Sequence, residues 1–154
     1  MVTATNNQKI EYDGAQMHPF QTAVEAHDTA AIEAFLADDV VFTSPIAFKP
    51  YPGKAVTAAF LRAVLRVLED FRYVRQISDV GGRDHAFIFQ ARIGDTQVSG
   101  CDFVHCDAEG KIDDLRVMVR PLSAAHALGG AMGAEIERIK REAMEYAERE
   151  RTDA

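Results

Sequence analysis

One aspartate stands out for its setting. In the stretch SGCDFVHC, residues 99–106, Asp102 is flanked by Cys101, Phe103 and Val104. The run alternates as a strand does, and successive strand side chains point to opposite faces. Asp102, Val104 and Cys106 therefore share one face; Cys101, Phe103 and His105 share the other. A carboxyl inside an apolar layer binds its proton more tightly, because burial penalises the charged form. Such a group can serve as an acid or hydrogen-bond donor in a pocket. The plainer reading is a carboxylate satisfied by a hydroxyl, an amide or a water, holding the interior in shape.

The remaining chemistry-bearing residues are dispersed. His18, His27, His85 and His105 are scattered along the chain, and Tyr51 and Tyr73 each offer a hydroxyl. In HAFIF, His85 shares a face with Phe87 and Phe89. Tyr73 has the parity of both Phe71 and Arg75, so its face is not decided. Cys101 and Cys106 lie at odd separation in one strand, on opposite faces, and are expected to be free thiols. No HxH, HExxH or clustered Asp/His pattern is present, so neither a metal site nor a cofactor is expected. Phosphate-loop and Gly-x-Ser-x-Gly patterns are absent too.

The elements that must position these groups follow from periodicity. Pro19 suits the first turn of a helix carrying Phe20, Ala23, Val24 and His27 on one stripe. Asp28 is an N-cap for TAAIEAFLADD. VVFTS reads as a strand stopped by Pro45, and PIAFKPYPG as a stiff loop. KAVTAAFLRAVLRVLED is a helix with a wide apolar face. The period then changes to two through FRYVRQISDV, HAFIFQARI, QVSGCDFVHC and IDDLRVMVR, joined by short turns, which predicts an antiparallel meander. Beyond Pro121 the chain is helical, with a break expected at Gly129–Gly130 and i,i+4 pairs at Glu137–Arg141 and Glu145–Arg149.

The 154 residues fit one domain with its own core. A formal charge of −7 argues against a nucleic-acid partner and against an anionic membrane surface. Neither a signal-peptide pattern nor a bilayer-length apolar run is present, which predicts a cytoplasmic protein.

Three segments carry a resemblance: AVEAHDTAAIEAFLADDVVFTSP, HAFIF and DFVHCDAEGKIDDLRVMVRPL. Over roughly residues 18–125 the chain resembles the nuclear transport factor 2-like superfamily, in particular its SnoaL-like polyketide cyclase and ketosteroid isomerase-related members. The resemblance implies an α+β fold of the cystatin-like, α+β-barrel type: a conical curved antiparallel sheet wrapped around helices, here with a C-terminal helical extension. It gives a polar lead-in at 1–16, the domain at 17–125 and the extension at 126–154. It also implies a deep apolar pocket in the concave face and a homodimer packed through the convex face.

Carried over by position, Asp102 matches the isomerase aspartate that stays protonated and donates to a developing oxyanion. Ser44 stands where those enzymes keep their general base, and Phe20 where they keep a tyrosine, so steroid isomerisation itself is not expected. Arg116 and Arg120 should point away from the pocket, which argues against an epoxide-hydrolase arrangement. The expected pocket residues are Asp102 as candidate catalytic group, with Phe20, Phe42, Ser44, Tyr51, Phe60, His85, Phe87, Phe89, Val104, Leu115 and Val117. The expected activity is binding of an apolar or carbonyl-bearing ligand, with cofactor-independent isomerase, cyclase, hydratase or hydrolase chemistry. The alternative is a non-catalytic ligand-binding or dimerisation module.

Overall fold

The computed structural model describes residues 17–154; the expected lead-in at 1–16 lies outside the described residues. Helix α1 (Pro19–Glu25) starts with a reciprocal cap: the Phe20 amide donates to His18 Nδ1 at 3.1 Å, and the His18 amide donates to Gln21 Oε1 at 3.0 Å. His27, at φ 54°, turns the chain through the left-handed region. Asp28 then caps α2 (Thr29–Phe35), accepting from the Ala31 amide at 3.1 Å. Strand β1 (Leu36–Thr43) follows directly. The Pro-rich loop holds a two-residue strand, β2 (Tyr51–Pro52), and leads into α3 (Lys54–Val67).

The meander runs as β3 (Glu69–Ser78), β4 (Asp84–Ile93), β5 (Thr96–Cys106) and β6 (Ile112–Arg120). Six strands form one curved, unclosed sheet in the order β2-β1-β6-β5-β4-β3. The sheet is not wholly antiparallel, because β1 runs parallel to β6. That pairing needs the α3–β5 segment as a long crossover, which no local sequence pattern announces.

The chain ends in α4 (Leu122–Thr152), a single helix of 31 residues. The break expected at Gly129–Gly130 is not there. Two interior glycines cost a helix about 1 kcal/mol each, but Leu128, Ile139 and Tyr146 are buried along the same helix and hold it. The 125/126 boundary therefore falls inside α4. Arg66 on α3 reaches Glu135 at 2.8 Å and Glu142 at 3.4 Å on α4. Arg62 pairs with Glu33 across α3 and α2. Among the described residues the expected Glu137–Arg141 and Glu145–Arg149 pairs do not form; Arg138–Glu142 at 2.9 Å takes their place. No helix of the described residues is long and apolar enough to cross a membrane.

Candidate functional site

The concave face of the sheet, α1, α3, α4 and the loop after β1 enclose a cavity of about 210 Å³. Its wall is nearly all apolar. The polar side chains that reach it are Ser44, Tyr51, Tyr73 and Asp102.

Asp102 lies on β5, opposite Phe87 on β4 and Val117 on β6. It is only 8% exposed, and Tyr73 from β3 is 5% exposed. The Tyr73 hydroxyl donates to Asp102 Oδ2 at 2.8 Å. Burial pushes the Asp102 carboxyl up to about 7, partly offset by that hydrogen bond. Burial and the adjacent carboxyl hold the Tyr73 phenol well above its ordinary value. Both groups therefore have protons to offer near neutral pH. Together they form a two-hydroxyl polar spot in an apolar cavity.

The local sequence explains how Tyr73 gets there. β3 has register shifts between Glu69 and Arg72 and between Tyr73 and Arg75. An inserted residue resets the alternation of a strand. Phe71 and Tyr73 share the inward face as alternation requires, the Phe71 ring stacked on Phe89 at 4.8 Å, and the shift after Tyr73 releases Arg75 from that face to solvent. Strict period two cannot find this arrangement.

Of the expected pocket residues, the structure places Phe20, Phe42, Ser44, Tyr51, Phe60, Phe89, Asp102 and Val117 in the cavity wall. His85, Phe87, Val104 and Leu115 face the same layer but lie outside the wall. Phe87, Val104 and Leu115 are packed in the core. His85 sits at the far end of β4, its Nδ1 2.7 Å from Ser78 Oγ and its Nε2 3.1 Å from the Gly82 carbonyl. Ser44 is committed locally: its Oγ accepts the Ile46 amide at 2.9 Å and the Ala47 amide at 3.1 Å. Those two donors draw on its lone pairs and make it a poor base. Arg116 and Arg120 are exposed and outside the wall, as the strand parity predicts.

Sequence reasoning missed the contribution of α4. Leu128, Gly129, Met132, Gly133 and Ile136 complete the wall. The stretch beyond Pro121 reads as helical, but what it packs against cannot be named without the fold. A Cβ added at Gly129 would lie 3.5 Å from the Ile46 side chain, an ordinary contact, so α4 packs here directly against the loop after β1.

A second cluster also escaped the spacing rules. His18, His85 and Cys106 each bring one potential metal-ligating atom within 4.8 Å of the other two. They are 67 and 21 residues apart in sequence, which no local motif records.

Comparison with known proteins gives a consistent picture. The SnoaL-like domain family matches residues 18–115. A steroid delta-isomerase from Pseudomonas aeruginosa is 39% identical, with a TM-score of 0.73, over 76% of this chain and 85% of that one. A protein with a cystatin-like fold from Silicibacter pomeroyi DSS-3 is 34% identical, with a TM-score of 0.76, over 86% of this chain and 94% of that one. An epoxide hydrolase from M. tuberculosis, 22% identical with a TM-score of 0.54 over 78% and 91%, shares the fold. No curated protein matches.

Proposed function

Because the chain belongs to the SnoaL-like domain family, we propose that its cavity binds a small apolar molecule through a carbonyl or comparable oxygen, which Asp102 and Tyr73 polarise. One observation carries the reading: the Tyr73–Asp102 hydrogen bond of 2.8 Å, buried in a largely apolar cavity. A proton donor fixed where negative charge develops on oxygen, and shielded from water, lowers the barrier to enolisation, elimination or ring opening. A carboxyl near 7 can both give and retake a proton at neutral pH.

The volume favours a ligand smaller than a drug-sized molecule, whose pockets span roughly 300–1,000 Å³. The cavity offers about 210 Å³. The delta-isomerase activity named for the Pseudomonas relative needs a base to remove a carbon-bound proton. Ser44 does not supply one, so any proton shuttle here runs through Asp102 itself. The same observation supports the second reading, a binding protein that holds its ligand oxygen without turning it over.

Binding of phenols of graded acidity, followed by absorbance or fluorescence, tests the site. Affinity is expected to rise with phenol acidity and to fall about tenfold or more, a loss of some 1.4 kcal/mol, in Tyr73→Phe and in Asp102→Ala. Unchanged affinity in both variants sinks the reading. Turnover of small cyclic enones, β,γ-unsaturated ketones or epoxides that declines above pH 7 selects the enzyme. Binding with no turnover of any of them selects the binding protein.

We infer that a partner packs on the convex face of the sheet. Ile77, Phe103 and Met118 are half-exposed there, and the register sets Ile77, Ala86, Phe103 and Arg116 in one row across four strands. A two-fold axis brings the same patch against itself, and Arg116 and Asp114 give it charges of both signs. The occupant we infer is a second copy of this chain.

A further inference from the structure

Four residues beyond Asp102, on the same concave face of β5 and about 13 Å along it, lies Cys106. The Phe87 ring stands between the two places. Its centroid is 5.9 Å from that of Tyr73 on one side, and 5.5 Å and 5.4 Å from those of His18 and His85 on the other. Cys106 and His85 are buried, at 4% and 8% exposure, and His18 is half-buried at the rim. The two imidazole centroids are 4.9 Å apart.

We propose that His18, His85 and Cys106 form a binding site for a borderline-soft transition-metal dication, Zn(II) being the type, with a fourth position left for water. Two imidazoles and a thiolate are a donor set that such ions select over harder cations. A tetrahedral ion sets N and S ligands roughly 3.3–3.6 Å apart. The present spacing of up to 4.8 Å therefore closes with small rotations of the rings and the thiol.

His85 is the better prepared of the two rings. The His18 Nδ1 lone pair accepts the Phe20 amide, so its ring proton sits on Nε2, and ligation through Nε2 moves that proton and gives up the cap contact. The Gly82 carbonyl can only accept, so the 3.1 Å contact puts the His85 proton on Nε2. A metal-bound histidine commonly donates its other N–H to a backbone carbonyl in this way. The remaining lone pair of His85 faces only the Ser78 hydroxyl, a rotatable and weak competitor for a metal.

The three residues come from the start of α1, the start of β4 and the end of β5. An ion among them would bolt α1 to the sheet. Phe87 and the distance along β5 separate the site from Asp102, so its role is structural or regulatory and independent of the cavity chemistry.

The test is Co(II) titration of the untagged full chain. One equivalent is expected to give a near-ultraviolet sulfur-to-cobalt charge-transfer band and the intense visible bands of tetrahedral cobalt, both erased by Zn(II). Cys106→Ser is expected to lose the charge-transfer band, and Cys101→Ser to keep it. Zn(II) should raise the Tm of the wild type and leave that of His85→Gln unmoved. Phenol binding in the cavity should survive Cys106→Ser, which separates this site from the other. Absence of a one-equivalent band in the wild type overturns the proposal, whatever the variants do. So does a band that persists in Cys106→Ser.

Discussion

Asp102 is near the midpoint of its titration at neutral pH, and this makes it both useful and costly. Unfolded, the carboxyl titrates near its ordinary 3.8; folded, at about 7. Between those values the folded chain keeps a proton that the unfolded chain has lost. Stability from this group therefore falls as pH rises from about 4 to about 7, then levels off. The full difference is worth about 4 kcal/mol. Asparagine cannot ionise, yet its carbonyl still accepts from Tyr73. Asp102→Asn is expected to exceed the wild type by a few kcal/mol at pH 8 and to converge with it near pH 4, in urea unfolding at each pH. Parallel stability curves would remove the buried acid from the account. The aspartate was legible in the sequence because β5 keeps a strict alternation. Its partner Tyr73 was not, because the bulge that takes Arg75 off the face of Phe71 and Tyr73 is set by pairing with β4.

At the scale of elements, β5 needs its glycine and α4 is weakened by one. A Cβ at Gly100 would collide with the Phe89 ring and lie 2.9 Å from the Met118 carbonyl oxygen. That ring lines the cavity, so moving it aside intrudes on the ligand space. Gly100→Ala is expected to cost about 1–3 kcal/mol and to weaken ligand binding, read together by thermal unfolding and phenol titration. An intact cavity in that variant would contradict the packing. Gly130 is exposed and has no atom within 4 Å of an added Cβ. If α4 is unbroken, Gly130→Ala stabilises by about 1 kcal/mol; a loss of stability would restore the helix break. Element order was readable from the change of period. The parallel β1–β6 pair and the continuity of α4 were not, since both are decided by contacts between residues far apart in sequence.

For the molecule as a whole, the proposed dimer places the apolar convex face out of water. Phe103→Glu adds charge to the centre of that face without touching the cavity. It is expected to shift the chain to monomer in light scattering behind size exclusion, with its far-ultraviolet spectrum intact. A wild-type chain that is monomeric at high concentration would end the proposal. Charge bears only on the kinds of partner to expect, whereas the row across β3 to β6 on which the proposed dimer rests exists only once the strands are paired.

The Tyr73–Asp102 bond joins β3 to β5, stepping over β4. On a flat sheet two such side chains would stand parallel, at least about 9.5 Å apart. Their meeting at 2.8 Å makes the bond a chord strung across the bend. Flattening would slacken it: Tyr73 would withdraw its proton and Asp102 would hold its own more tightly. Acidity and curvature thus become a single variable, and anything that braces the outer surface of the sheet adjusts the acid within.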